Sequence, residues 1–153
     1  MKDTGKRILT PEELMPEYEE LLRAGAVLPL VVSGGSMLPF LAPGRDTVYL
    51  KAIDRPLRRG DIVFYRRADG RYILHRLHRI DGEKCWFVGD AQDDIEGPLN
   101  IKCAFAYVTE ALRKGKTQKP GCLCWDFFEN IWLLAVGSRK GLISLYSRIR
   151  SKQ

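Results

Sequence analysis

The 153-residue chain has only two histidines, His75 and His78, and its four cysteines, Cys85, Cys103, Cys122 and Cys124, form no Cys-x-x-Cys pair. The spacing of these residues matches no zinc motif, so no metal site and no cofactor are expected. Cys85 and Cys103 fall in strand-like segments and read as small apolar core residues. Cys122-x-Cys124 carries little redox or metal signal. The charged and polar segment from Met1 to Thr10 lacks an apolar stretch, and no secretory signal is expected. No run of eighteen uncharged apolar residues occurs, which excludes a conventional membrane-spanning helix and makes the cytoplasm the expected address. Internal repeats are absent as well.

What is there suits a folded domain. The composition is 45% hydrophobic and 29% charged, unlike that of a disordered chain. The net charge of +6 favours an acidic partner, either an anionic membrane surface or nucleic acid, without choosing between them. Nucleic acid is the poorer choice, because no basic recognition helix with interleaved aromatics is visible and the N-terminal segment is too short for a helix-turn-helix.

Along the chain, Thr10-Pro11-Glu12-Glu13 has the form of a helix start, with a capping threonine, proline at the first helical position and a capping-box glutamate. Leu14, Tyr18, Leu21 and Leu22 then fall on one helical face, and Gly25 ends the helix. From Val27 the pattern changes to short strands: Leu28 to Val32, Thr47 to Leu50, Asp61 to Tyr65, Arg71 to Ile80, Cys85 to Val88 and Cys103 to Thr109. Ala68-Asp69-Gly70 and Asp81-Gly82 read as hairpin turns. The prediction is a mainly β domain over residues 27–116, preceded by an N-terminal helix in 1–26 and followed by a basic amphipathic helical tail in 117–153. The tail carries Phe128, Ile131, Trp132, Leu134-Ala135, a break at Gly137, then Leu142, Leu145, Tyr146 and Ile149, with arginines and lysines interspersed. Such a tail either lies in a membrane interface or packs on the β domain.

The chemistry-bearing residues are a serine and a histidine. Ser36 follows Gly34-Gly35, which can take positive φ, and precedes Pro39, which ends any regular ladder. A hydroxyl so presented is a poor nucleophile until a base comes within hydrogen-bond reach. His75 lies in the strand-like run Tyr72-Ile73-Leu74-His75-Arg76-Leu77. By strand alternation Ile73, His75, Leu77 and Arg79 share one face, and His78 points to the other. Aliphatic neighbours disfavour the charged imidazolium and leave a neutral ring, as a general base requires. On the residues alone, a histidine within a strand serves packing as readily as chemistry.

Four segments in order resemble one family. Ser33-Gly34-Gly35-Ser36-Met37-Leu38-Pro39 is similar to the nucleophile box of the signal peptidase I and LexA-like serine peptidase superfamily. Pro56 to Val63, with Gly60-Asp61-Ile62-Val63, resembles its Gly-Asp-x-Val strand. Tyr72 to Arg76 resembles the box of the general base, and Val88-Gly89-Asp90-Ala91-Gln92-Asp93-Asp94 the closing Gly-Asp box. The similarity spans roughly residues 28 to 112. Histidine stands where most members have lysine, as in the endoplasmic-reticulum-type signal peptidases.

The resemblance implies a coiled antiparallel β domain, with Ser36 as nucleophile and His75 as general base. Of the acidic residues, Asp93 or Asp94 matches the orienting aspartate and Asp94 is preferred, with Asp90 organising the loop. A peptide or protein substrate would lie extended along Ser33, Gly34, Gly35, Met37 and Pro39, gaining main-chain hydrogen bonds by strand addition, and the Ser36 N–H would hold the oxyanion. The activity implied is serine endopeptidase action on an extended peptide or leader segment. A catalytically idle relative that binds peptides in the same groove is the alternative. The absence of a spanning segment before the serine points to a cytoplasmic peptide, with the tail as a peripheral anchor on the inner membrane face.

Overall fold

The computed structural model describes residues 11–150. Helix α1 (Pro11–Arg23) leads into eight antiparallel strands: β1 (Leu28–Val31), β2 (Thr47–Ala52), β3 (Ile62–Arg66), β4 (Tyr72–Asp81), β5 (Lys84–Val88), β6 (Glu96–Asn100), β7 (Ala104–Arg113) and β8 (Lys116–Gln118). The tail forms α2 (Leu123–Asp126), a wide π-type turn over Phe127–Trp132, and α3 (Arg139–Arg150). The strands join one sheet in the order β1-β2-β7-β3-β4-β5-β6, with β8 beside β7. No helix among the described residues is long and apolar enough to cross a membrane.

Both faces of the sheet are buried, and strand alternation decides which residue goes where. Ile62 and Phe64 of β3 enter one apolar cluster together with Val48, Leu50 and Val108. Val63 and Tyr65, one step out of phase, enter a second with Leu77, Cys85 and Phe87. Met15 and Leu22 of α1, Phe40 behind the serine bend, and Trp125 and Phe128 of the tail all belong to the first cluster. The three segments distinguished in the sequence therefore share one core, and β8 runs across the expected boundary between β domain and tail.

Helix α1 ends as expected, with Gly25 at φ 95° and the Ala26 N–H bonded to the Leu21 carbonyl. Its buried stripe, however, is Met15, Tyr18 and Leu22, whereas Leu14 and Leu21 are exposed. Thr10, the expected cap, lies outside the described residues. Two strands were not anticipated. Strand β6 contains Gly97-Pro98 and survives because it is the edge of the sheet, where a missing N–H costs no ladder bond. Strand β8 returns from β7 through Lys114-Gly115, both at positive φ, and lysine is an unusual occupant of such a turn. A bulge at His78 shifts the β4–β5 register between Leu77 and Arg79, so the alternation read from the sequence ends at Leu77. In the tail the π-type turn rotates the helical face: Leu133 is buried, whereas Ile131 and Leu134 are exposed.

Candidate active site

Ser36 is presented by a bend rather than a strand. Gly34 at φ 71° turns the chain after β1, and Met37, Phe40 and Leu41, all essentially buried, anchor the following turn. A second loop grips the bend from behind. The Ser36 carbonyl accepts from the Ala91 N–H at 2.9 Å. Gly89 packs so closely that a Cβ there would sit 2.4 Å from that carbonyl oxygen, a distance only a backbone shift could relieve. Gly89 is thus explained by its close approach to the Ser36 backbone.

The loop is tied in turn to the histidine strand and to the tail. Asp90 forms a fully buried bidentate pair with Arg76, the residue after His75, at 2.9 and 2.8 Å. Arg76 also donates to the Gly60 carbonyl at 2.9 Å. From the tail, the Trp132 indole N–H donates to the Asp90 carbonyl at 2.7 Å. The buried Arg139 guanidinium donates to the carbonyls of Gly89, Gln92 and Trp132. Asp93 receives the backbone N–H groups of Arg139 and Lys140 at the start of α3.

Ser36 and His75 line one cavity of about 240 Å³, together with Leu30, Val32, Ser33, Gly34, Met37, Phe64 and Tyr72 to Leu74. Among the described residues neither the Ser36 hydroxyl nor its N–H is engaged in a hydrogen bond. His75 is 4% exposed, and its Nδ1 lies 3.2 Å from the Tyr65 hydroxyl. Its Nε2 has no hydrogen-bond partner among the described residues. Tyr65 donates to Glu96 Oε2 at 2.7 Å, and Glu96 also accepts two bonds from Arg67, at 2.6 and 2.7 Å.

No hydrogen bond or ion pair joins Asp93 or Asp94 to His75 among the described residues, where the His75 side chain meets Tyr65. Asp94 is 98% exposed and faces the Lys140 ammonium at 3.8 Å. Asp90, expected to organise the loop, has both carboxylate oxygens engaged by Arg76 in the buried pair. Of the residues expected along the substrate, Ser33, Gly34 and Met37 line the Ser36–His75 cavity, with Met37 only 1% exposed. Gly35 is exposed outside that lining, and Pro39 lines a separate cavity beside Phe127 and Trp132. The groups missed were Tyr65 and Glu96, which touch His75 directly or through one hydroxyl.

Electrostatics follow burial. Desolvation among aliphatic and aromatic side chains pushes His75 down to about 4, against the attraction of Glu96 and with some help from Arg67. Burial and the bond to Glu96 raise Tyr65 well above the usual phenol range. Burial pushes Glu96 upward, but the hydrogen bonds from Arg67 and Tyr65 and the Arg67 charge outweigh it and leave the carboxyl below its ordinary value. A stability dependence on pH follows. The unfolded imidazole titrates near 6.5 and the folded one near 4, so between these values the unfolded chain binds more protons. Stability therefore falls as pH falls through that window, by about 3 kcal/mol from this group alone. Urea midpoints measured from pH 7 to pH 4 should drop more steeply for the native chain than for His75→Gln, and parallel curves would refute the assignment.

A scan against protein-family models, a search of curated proteins and a search of solved structures each found no match to the chain.

Proposed function

We propose that the chain is a serine endopeptidase of the signal peptidase type, with a LexA-like coiled β fold, in which Ser36 is the nucleophile and His75 the general base. The observation that carries this reading is the shared cavity: two residues 39 positions apart line one space, and among the described residues neither the Ser36 hydroxyl nor His75 Nε2 is engaged in a hydrogen bond. In the reaction, His75 Nε2 takes the Ser36 proton as Oγ bonds to the scissile carbonyl carbon, and the Ser36 N–H receives the oxyanion. The imidazolium then protonates the departing amine. A water, deprotonated by the same nitrogen, releases the acyl group and restores Ser36.

The walls of the cavity suit an extended peptide. Strand β5 pairs with β4 only from Arg76 onward, so Tyr72–His75 has β3 on one side and no strand on the other. The bonds Arg67 N–H to Arg71 O and Leu77 N–H to Asp61 O set the alternation: Tyr72 and Leu74 turn their backbone groups outward. Opposite, β1 is also a sheet edge, and the Val32 N–H to Asp46 O bond leaves Val31 facing outward. A peptide strand entering between these edges gains main-chain bonds from both. A second space of about 480 Å³, lined by Met15, Leu30, Phe64 and Tyr72, continues the groove and suits apolar side chains. The test is cleavage of a peptide library by the native chain and by Ser36→Ala. The idle-module alternative predicts binding of extended peptides by both proteins and cleavage by neither.

The tail supports association with an anionic bilayer surface. Residues 117–153 hold six lysines and arginines against two acidic residues, a net +4, whereas residues 1–116 hold nineteen against seventeen. On the same segment Leu123, Ile131, Leu134, Leu142, Leu145 and Ile149 are 46–90% exposed. Apolar side chains beside concentrated positive charge match a lipid interface with acidic headgroups. In flotation assays the chain should rise with phosphatidylserine-containing vesicles and stay behind with pure phosphatidylcholine, and Leu142→Gln/Leu145→Gln/Ile149→Gln should not rise. Equal behaviour of the two proteins would dismiss the idea.

A further inference from the structure

We infer that Tyr65 and Glu96 are positioning residues for His75, which pin its proton on Nδ1 and so leave the Nε2 lone pair open to the cavity that Ser36 lines. The catalytic consequence rests on the proteolytic reading; the proton arrangement does not. It follows from counting donors. An ionised carboxylate can only accept, and Glu96 accepts from Arg67 Nε at 2.6 Å, Arg67 Nη2 at 2.7 Å and the Tyr65 hydroxyl at 2.7 Å. Tyr65 has one proton, and it is spent on Glu96. Only a lone pair of the phenol oxygen then faces His75 Nδ1 at 3.2 Å, and the contact is attractive only if Nδ1 carries the hydrogen. A neutral ring with its proton on Nδ1 has its basic lone pair on Nε2.

The arrangement is held rigidly. The Tyr65 ring is fully buried and stacks on Phe87 with centroids 4.2 Å apart. Glu96 comes from β6 and Tyr65 from β3, with β4 and β5 between them, so the meeting depends on the coil of the sheet. Placing a phenol between imidazole and carboxylate keeps the negative charge one group away from the ring. When Nε2 takes the Ser36 proton, the chain from Nδ1–H through the phenol to Glu96 ends in negative charge and stabilises the imidazolium, while each proton stays on its own atom.

The test uses the full chain labelled with ¹⁵N, its His75 ring nitrogens assigned by comparison with His75→Gln, alongside peptide cleavage. At neutral pH the native ring should be in the Nδ1–H form. Tyr65→Phe removes the acceptor and keeps the buried ring; Glu96→Ala frees the phenol proton to turn to Nδ1. Both should move the ring toward the Nε2–H form and lower kcat roughly ten- to a hundredfold with little change in KM. An Nε2–H ring in the native chain, or an unmoved tautomer in both variants, would overturn the inference. If Ser36-dependent cleavage is present while tautomer and rate ignore both variants, the positioning role fails and the peptidase reading stands. If the tautomer shifts as expected but the native chain cleaves nothing, the proton arrangement stands and the peptidase reading fails.

Discussion

Ser36→Ala should lose peptide cleavage by on the order of 10⁶-fold, His75→Ala by a similar factor, and the double variant by no more than either alone. This pattern is the signature of two groups acting as one unit. Without the hydroxyl there is no acyl acceptor, and without the imidazole the hydroxyl keeps its proton at neutral pH. Ser36→Ala should not disturb the fold much, because the Ser36 side chain makes no hydrogen bond among the described residues and the backbone of the bend is held through its carbonyl. Thermal unfolding of Ser36→Ala should match that of the native chain. The pH profile adds a second signature: with His75 near 4, kcat/KM should stay level down to about pH 5 and fall below it as the ring gains its proton. Cleavage that persists at the native rate in Ser36→Ala would end the mechanism. A kcat/KM that fell with a midpoint near 6.5 would show instead that burial does not depress the His75 ring in the working enzyme.

Much of the framework was legible in the sequence, because local signals carried it. Six of the strands announce themselves by short β-rich runs between turn residues, and Gly25 marks the end of α1. Nothing local indicates that Ser36 and His75 line one cavity; only the resemblance of four short boxes suggests pairing them. What could not be read depends on sheet curvature. Tyr65 and Glu96 are 31 residues apart and lie on strands separated by two others; nothing local in Gly97-Pro98 suggests a strand, let alone one that curls back to the histidine. The contacts of the acidic run Asp90 to Asp94 were hidden for a related reason: proximity in sequence to a conspicuous Gly-Asp says nothing about which carboxylate is claimed first. Asp90 is claimed by Arg76 and Asp93 by the start of α3, and Asp94 is left facing solvent. Likewise Leu14 looked like a core residue and Met15 did not, since a stripe one position over fits the helical period equally well.

Asp90→Ala should destabilise the fold by about 3–5 kcal/mol, a large part of the ~5–15 kcal/mol that holds a domain of this size together. The cost arises because Arg76 would remain as a fully buried guanidinium, with only the Gly60 carbonyl as a hydrogen-bond acceptor and a Phe40 ring at 5.4 Å. Arg139, also buried and positively charged, sits on the same loop and makes the loss worse. Replacing both members, as Arg76→Met with Asp90→Leu, removes the unpaired charge and should recover much of the stability. The same comparison separates the two roles that a Gly-Asp box invites. Were Asp90 the carboxylate that orients His75, Asp90→Asn would fold normally and lose only turnover, and the double replacement would be stable but dead. With Asp90 as the tie between the serine loop and the histidine strand, the single variants should unfold at markedly lower urea concentration. The apolar pair should then regain fold and cleavage together, because Ser36 is still held by Ala91 and His75 by Tyr65. Urea midpoints and turnover measured on these three variants decide between the two, and a stable, inactive apolar pair would give Asp90 a catalytic role.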